Sequence, residues 1–187
     1  MEQIRVHGRG GQGVVTAAEL IAIAAFYSGR EAQSFPNFGV ERSGAPIQSY
    51  ARVSHRPILT REQVYAPTVL LIQDPTLVDE ALKKKNALTQ GIFAGCTPDT
   101  KIIINAPANR WPSLKKKFKN LYFSPATEIA LEIFGKNIVN TVILGALAKY
   151  TKIISLPALE KAIKEKFADK GKEIIKKNIL AVDKAGR

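Results

Sequence analysis

Hydrophobic positions fall into two textures along the chain. Short apolar runs bounded by Gly, Pro, Asn or Asp read as strands, and longer stretches with helical spacing read as amphipathic helices. Strands are predicted at residues 3–6, 31–35, 47–54, 69–73, 88–94 and 101–105, with a last short one at 121–123. Helices are predicted over 14–27, from Thr76 through Leu82, and over 126–134, 138–149, 156–167 and 172–182. The 47–54 segment alternates, with Ile47, Ser49, Ala51 and Val53 on one side and Gln48, Tyr50, Arg52 and Ser54 on the other, so one face should be more polar. The 69–73 run, Val-Leu-Leu-Ile-Gln, is continuous and predicts a strand covered on both faces. The 14–27 helix is apolar on nearly every side, so it should bury more than one face, within the domain or against a partner. Thr76 and Asp79 resemble a capping box, and Asp79 with Lys83 and Glu80 with Lys84 have the favourable i, i+4 order. Alternating strands and helices followed by helices alone predict an α/β fold, with a mostly parallel sheet, helices on both faces and a helical C-terminal part. No linker or repeat divides residues 1–187, so a single domain is expected.

The first strand meets the first helix at His7-Gly8-Arg9-Gly10-Gly11-Gln12-Gly13. Gly8, Gly10 and Gly13 have the G-x-G-x-x-G spacing of a Rossmann-like fold, in which the backbone approaches a bound phosphate and the helix N-terminus offers it unpaired N–H groups. A tight strand-to-helix connection uses the same spacing without a ligand. The carboxylate that would hold a dinucleotide ribose is missing, because the second strand ends Gln33, Ser34, Phe35 and carries Glu31 at its start. No Gly-Lys-Ser/Thr follows the glycines, which excludes a P-loop.

Composition narrows the chemistry further. The chain has 187 residues, 45% of them hydrophobic, enough for one core without disulfide or metal staples. The lone Cys96 cannot hold a zinc ion or an iron–sulfur cluster by itself, and is expected to be a buried small apolar residue. No leader or membrane-length apolar run is visible, so a cytoplasmic location and no membrane partner are expected. The net charge of +12 is uneven: residues 113–187 hold 16 Lys and Arg against 7 Asp and Glu. Fifteen of those 16 are lysines, which suit a solvated face or an acidic partner better than a nucleic-acid site. His7 and His55 have no nucleophile or metal-ligand partner nearby in sequence and are expected to be hydrogen-bonded structural residues. No catalytic motif is present.

Three ordered motifs nevertheless point to a family. His-Gly-Arg-Gly-Gly-Gln-Gly at 7–13, Phe-Pro-Asn-Phe-Gly-Val-Glu-Arg-Ser-Gly-Ala-Pro at 35–46 and Asn-Thr-Val-Ile-Leu-Gly-Ala at 140–146 closely resemble the gamma subunit of pyruvate or other 2-oxoacid:ferredoxin oxidoreductases. The resemblance spans most of the chain. It implies a part in a complex that decarboxylates a 2-oxoacid, reduces ferredoxin and delivers the acyl group to coenzyme A. It also implies that thiamine diphosphate and the iron–sulfur clusters belong to alpha, beta and delta partner subunits. By the same resemblance Gly8, Arg9, Gly10, Gly11, Gln12 and Gly13, with Glu41, Arg42, Ser43 and Gly44, line a coenzyme A site. Asn140 and Thr141 face that site or serve helix packing. A free-standing nucleotide- or flavin-binding Rossmann-like protein is the alternative that the glycine turn alone would support.

Overall fold

The computed structural model describes residues 1–37, 43–107 and 110–187. Six strands form one sheet: β1 (Glu2–Arg9), β2 (Glu31–Pro36), β3 (Pro46–Ser54), β4 (Val69–Ile72), β5 (Lys101–Asn105) and β6 (Leu121–Ser124), in the order β2-β3-β1-β4-β5-β6. β3 is antiparallel to both its neighbours, and β1, β4, β5 and β6 run parallel. The sheet is therefore mostly parallel, as the alternation of elements predicts.

The helices divide unequally between the two faces. On one lie α1 (Val14–Tyr27), α4 (Ala126–Phe134), α5 (Val139–Thr151), α6 (Leu156–Lys166) and α7 (Lys172–Gly186), sharing a core with Ile4, Val6, Ala51, Val69, Leu71 and Ile103. α5 has nearly every residue buried, because α1, α4 and α7 surround it over the sheet. Among the described residues, the second face carries α2 (Thr76–Leu82) and α3 (Pro112–Lys117), packed with Phe93 and Phe118 over Leu70, Ile72, Ile102 and Ile104. β4 is buried throughout, as its unbroken apolar run requires. α1 buries Val14, Ala17, Leu20, Ile21 and Ala24 against the sheet and α6, yet leaves Phe26 exposed at its end.

Three sequence expectations fail for local reasons. Residues 88–94 form no strand: Asn86 and Gly91 have positive φ, and bonds from Thr89 N–H to Asn86 and from Phe93 N–H to Gln90 curl the segment into turns. The Thr76–Asp79 capping box does not form, since Asp74 accepts from the Thr76 N–H at 2.9 Å and hydroxyl at 2.6 Å. α2 ends at Leu82, so Asp79 pairs with Arg110 and Trp111 and Glu80 pairs with Arg9 in place of the lysines.

β3 forms with one face more polar, as its alternation predicts, and that face is itself covered. Tyr50 and Arg52 are each 1% exposed, because the 55–68 segment lies over them. Arg52 donates to the carbonyls of Glu62 and Gln63 and to the side chain of Gln33. Arg5, on the same side of β1, donates to the carbonyls of Val64, Ile92 and Ala94. Two buried guanidiniums thus pin irregular chain where a helix would otherwise pack. Burial lowers the pKa of both, the Glu62 carboxylate opposing it at Arg52, and backbone carbonyls accept the guanidinium N–H groups.

Candidate functional site

The carboxyl ends of β1 and β4 mark the point where consecutive helices leave for opposite faces: α1 follows β1 to one side and α2 follows β4 to the other. In open α/β sheets that crevice is where ligands bind. The glycine turn lies in it. Gly11 (φ 91°) and Gly13 (φ 68°) hold left-handed backbone that residues with a Cβ avoid. The first intrahelical bond of α1 runs from Ala17 N–H to Gly13 C=O at 3.0 Å, so the N–H groups before it have no acceptor within the helix.

A closed set of polar contacts fixes the turn. Gln12 accepts from the Arg9 N–H at 2.7 Å and donates to Asp74 at 2.7 Å. Arg9 donates to Thr76, to the Gly44 carbonyl and to Glu80, with Asp74 at 3.4 Å. Burial works to raise the Asp74 pKa, but hydrogen bonds from Thr76 and Gln12 and the Arg9 charge outweigh it and hold the carboxyl below its usual value. Backbone bonds from Gly10 N–H to Ala45 and from Gly44 N–H to Gly10 fasten the second motif to the first. Ser43 and Gly44 sit exposed at this rim. Glu41 and Arg42 lie outside the described residues.

The third motif completes the floor. α5 begins at Val139, so its N-terminus also reaches this edge, and the Asn140 side chain packs on Gly13 so closely that a Cβ there would lie 2.4 Å from its amide nitrogen. Thr141 is 1% exposed, and its hydroxyl has no hydrogen-bond partner among the described residues. The same holds for the Ser124 hydroxyl and for both ends of the Gln73 amide, whose oxygen lies beneath Gly8. Asn105 donates to the Gln73 carbonyl and accepts from Thr127 N–H at the start of α4. The turn, Gly44 and Asn140 are therefore gathered at one edge, with Ser43 and Thr141 beside them in sequence. Gln73, Asp74, Asn105 and Ser124 were not expected there. Their signal was a polar residue ending each apolar strand.

The other side of β1 differs from expectation at His7. It is buried, its Nε2 has no partner among the described residues, and burial with the nearby Arg5 charge lowers its pKa to about 3. It borders a cleft of about 550 Å³ between the start of β3 and α2. Cys96 is half-buried against the second core, and burial pushes its thiol up to about 11, which disfavours the thiolate. Among the described residues no His, Cys, Asp and Glu cluster suits a metal ion, and no helix is long and apolar enough to cross a membrane.

Comparison with known proteins agrees with the motifs. The gamma subunit common to the pyruvate and ketoisovalerate oxidoreductases of Pyrococcus furiosus is 42% identical over 188 residues, covering 99% of this chain and 95% of the relative. Pyruvate synthase subunit PorC of Methanosarcina barkeri is 44% identical over 165 residues, 88% of this chain and 85% of the relative. The crystal structure of pyruvate oxidoreductase subunit PORC from Thermotoga maritima superposes with a TM-score of 0.78 at 31% identity, covering 99% and 94% of the two chains. The fold also matches 2-oxoglutarate:ferredoxin oxidoreductase from Magnetococcus marinus, solved with 2-oxoglutarate, coenzyme A and succinyl-CoA bound (TM-score 0.75, 24% identity, 98% of this chain and 30% of that one). The sequence profile of the pyruvate ferredoxin/flavodoxin oxidoreductase family matches residues 3–187, and the chain belongs to that family as a gamma-type subunit.

Proposed function

We propose that this subunit binds the phosphates of coenzyme A at the glycine turn, within a complex that oxidatively decarboxylates a 2-oxoacid, pyruvate in the first instance, and passes electrons to ferredoxin. The observation that carries the reading is the crevice itself: α1 and α5 aim their N-termini at one edge, and the buried amide of Gln73 and hydroxyl of Thr141 have no hydrogen-bond partner among the described residues. Backbone N–H groups at a helix start suit an anion, and coenzyme A presents several phosphate groups. When bound, coenzyme A supplies the thiol that accepts the acyl group. This chain's own part is to hold and orient. Gly10 to Gly13 line the phosphates, Asn140 keeps the turn in register, and Arg9, bound to Asp74, Glu80 and Gly44, fixes the turn's shape while Ser43 and Gly44 form its rim. Thiamine diphosphate and the iron–sulfur clusters are assigned to alpha, beta and delta subunits, with which this chain assembles in the cytoplasm.

The test is Gln12→Ala in the assembled enzyme. It removes two hydrogen bonds that shape the turn, each worth about 1 kcal/mol, so the KM for coenzyme A should rise by up to roughly thirtyfold. Decarboxylation of the 2-oxoacid without coenzyme A should keep its rate. An unchanged KM for coenzyme A would remove the turn from the site.

A further inference from the structure

The edge of the molecule opposite the glycine turn carries a second cleft. α1 and α5 begin at the turn and end here, so about 20 Å of helix separates the two places. The cleft, of about 630 Å³, is bounded by the ends of these helices and by the start of α6, with Ile154, Leu156 and Pro157 in its wall. All of its charged lining residues are cations: Arg30, Lys149, Lys152 and Lys161. Lys149 donates to the Arg187 carbonyl, and Lys161 lies over the Tyr27 ring. Arg30 and Lys152 have no hydrogen bond, ion pair or ring contact among the described residues. Glu165, the acid that reaches this corner, already accepts from the Tyr27 hydroxyl. The ends of α1, α5 and α7 bring about half a negative charge each and the start of α6 about half a positive one, so helix dipoles offset roughly one of the four cations. Beside the cleft Phe26 is 73% exposed, its ring meeting that of Tyr27 edge-on at 6.2 Å.

We propose that this corner docks an acidic segment of another subunit of the same complex, an assignment that depends on reading this chain as a subunit. Surplus positive charge around an uncovered aromatic pair has the character of an interface, where aromatic residues and arginine are enriched at the centre and charges at the rim guide encounter. α1 is apolar to its last turn, and Phe26 is a part of it that this domain leaves uncovered. Lys152 keeps its charge in place on left-handed backbone (φ 58°), where a glycine would be less strained. A small anion would account for the cations but not for Phe26, which stands outside the cleft. A second copy of this chain would bring its own charge of +12 to a cationic surface. Carboxylates flanking an apolar side chain satisfy both features at once.

Dilution of the assembled enzyme, with release of this chain followed by native mass spectrometry, tests the assignment. Arg30→Glu combined with Lys152→Glu should raise the apparent dissociation constant about tenfold at about 0.1 M salt and less than about threefold at about 1 M, where the screening length falls to about 3 Å. Phe26→Ala should weaken assembly about fivefold at both salt concentrations, because apolar contact is not screened. Arg30→Lys with Lys152→Arg keeps both charges and should assemble like the parent. The KM for coenzyme A of the remaining complex should not change, since the glycine turn lies at the other ends of α1 and α5. Unchanged assembly in the charge-reversal variant or in Phe26→Ala would overturn the proposal, and tripolyphosphate binding to the parent chain but not to the charge-reversal variant would then mark a small-anion site. Lys172→Glu with Lys176→Glu makes the same change in charge on an exposed part of α7, and an equal loss there would mean that bulk charge, not this corner, is responsible. If the parent chain forms no complex with the thiamine- and cluster-bearing subunits, the subunit reading fails and takes this assignment with it.

Discussion

Gly13 gives the sharpest test of how the turn is built, because two separable costs meet there. Its φ of 68° places an L residue in left-handed backbone, at about 1–2 kcal/mol. A Cβ would also lie 2.4 Å from the Asn140 amide nitrogen and 2.9 Å from its Cγ, an overlap whose relief costs roughly 1–3 kcal/mol. Gly13→Ala should therefore lose roughly 2–5 kcal/mol in all, or on the order of 5–15 °C in Tm for a domain of this size. Gly11 is the internal control: its φ is 91°, but nothing lies within 4 Å of the added Cβ, so Gly11→Ala should show the backbone cost alone. Thermal unfolding of the two variants isolates the packing part. Adding Asn140→Ala removes the amide and leaves a Cβ contact of 3.2 Å, so the pair should be coupled, with about 1–2 kcal/mol recovered in a double-mutant cycle. Equal losses for the two glycines, or strictly additive effects with Asn140→Ala, would refute the claim that the first and third motifs are fitted to one another.

Two further predictions concern the scaffold. His7 has a folded pKa of about 3 against an unfolded value near 6.5, so the stability tied to its neutral form is complete above pH 6.5 and declines as pH falls towards 3. The slope is at most about 1.4 kcal/mol per pH unit, His7→Phe should flatten it, and a ring titration near 6.5 by NMR would contradict the burial argument. Gly145 lies where α5 crosses α7: an added Cβ would fall within 3 Å of backbone atoms of Val182 and Gly186, so Gly145→Ala should cost about 3 kcal/mol or more. Urea unfolding checks it, and a midpoint unchanged from the parent would mean that the two helices have slack at this crossing.

The parts of the fold legible in the sequence are those where one local rule acts alone. An unbroken Val-Leu-Leu-Ile run can only be a strand covered on both sides, and helical stripes such as Leu159 with Ile163 can only be core faces. The 88–94 segment misled because apolar residues there serve turns: Phe93 anchors the second core from a single 3-10 turn, and only the Asn86 and Gly91 dihedrals distinguish that from a strand. The buried polar face of β3 was illegible for a different reason. Arg52 reads as a solvent residue until the carbonyls that solvate it, Glu62 and Gln63, are brought over it by a segment without periodicity. At the site, the glycines and Asn140 were visible as motifs, but Gln73 and Asp74 follow β4 while Asn105 ends β5, and they meet only at the sheet edge.

The unequal cover of the sheet explains why the site takes the form it does. On the α1 side, five helices pack tightly enough that Gly13 rests on Asn140 and Gly145 on α7, which fixes the shape of the turn. On the other side, α2 and α3 cover only β4, β5 and β6, and the β1–β3 half is closed by irregular chain held by Arg5 and Arg52. Carbonyls fastened to a guanidinium make a cover with gaps that a packed helix would not leave, and the cleft at His7 is one of them. The rigid side therefore positions the backbone N–H groups of the turn, while the loop-covered side provides space beside them.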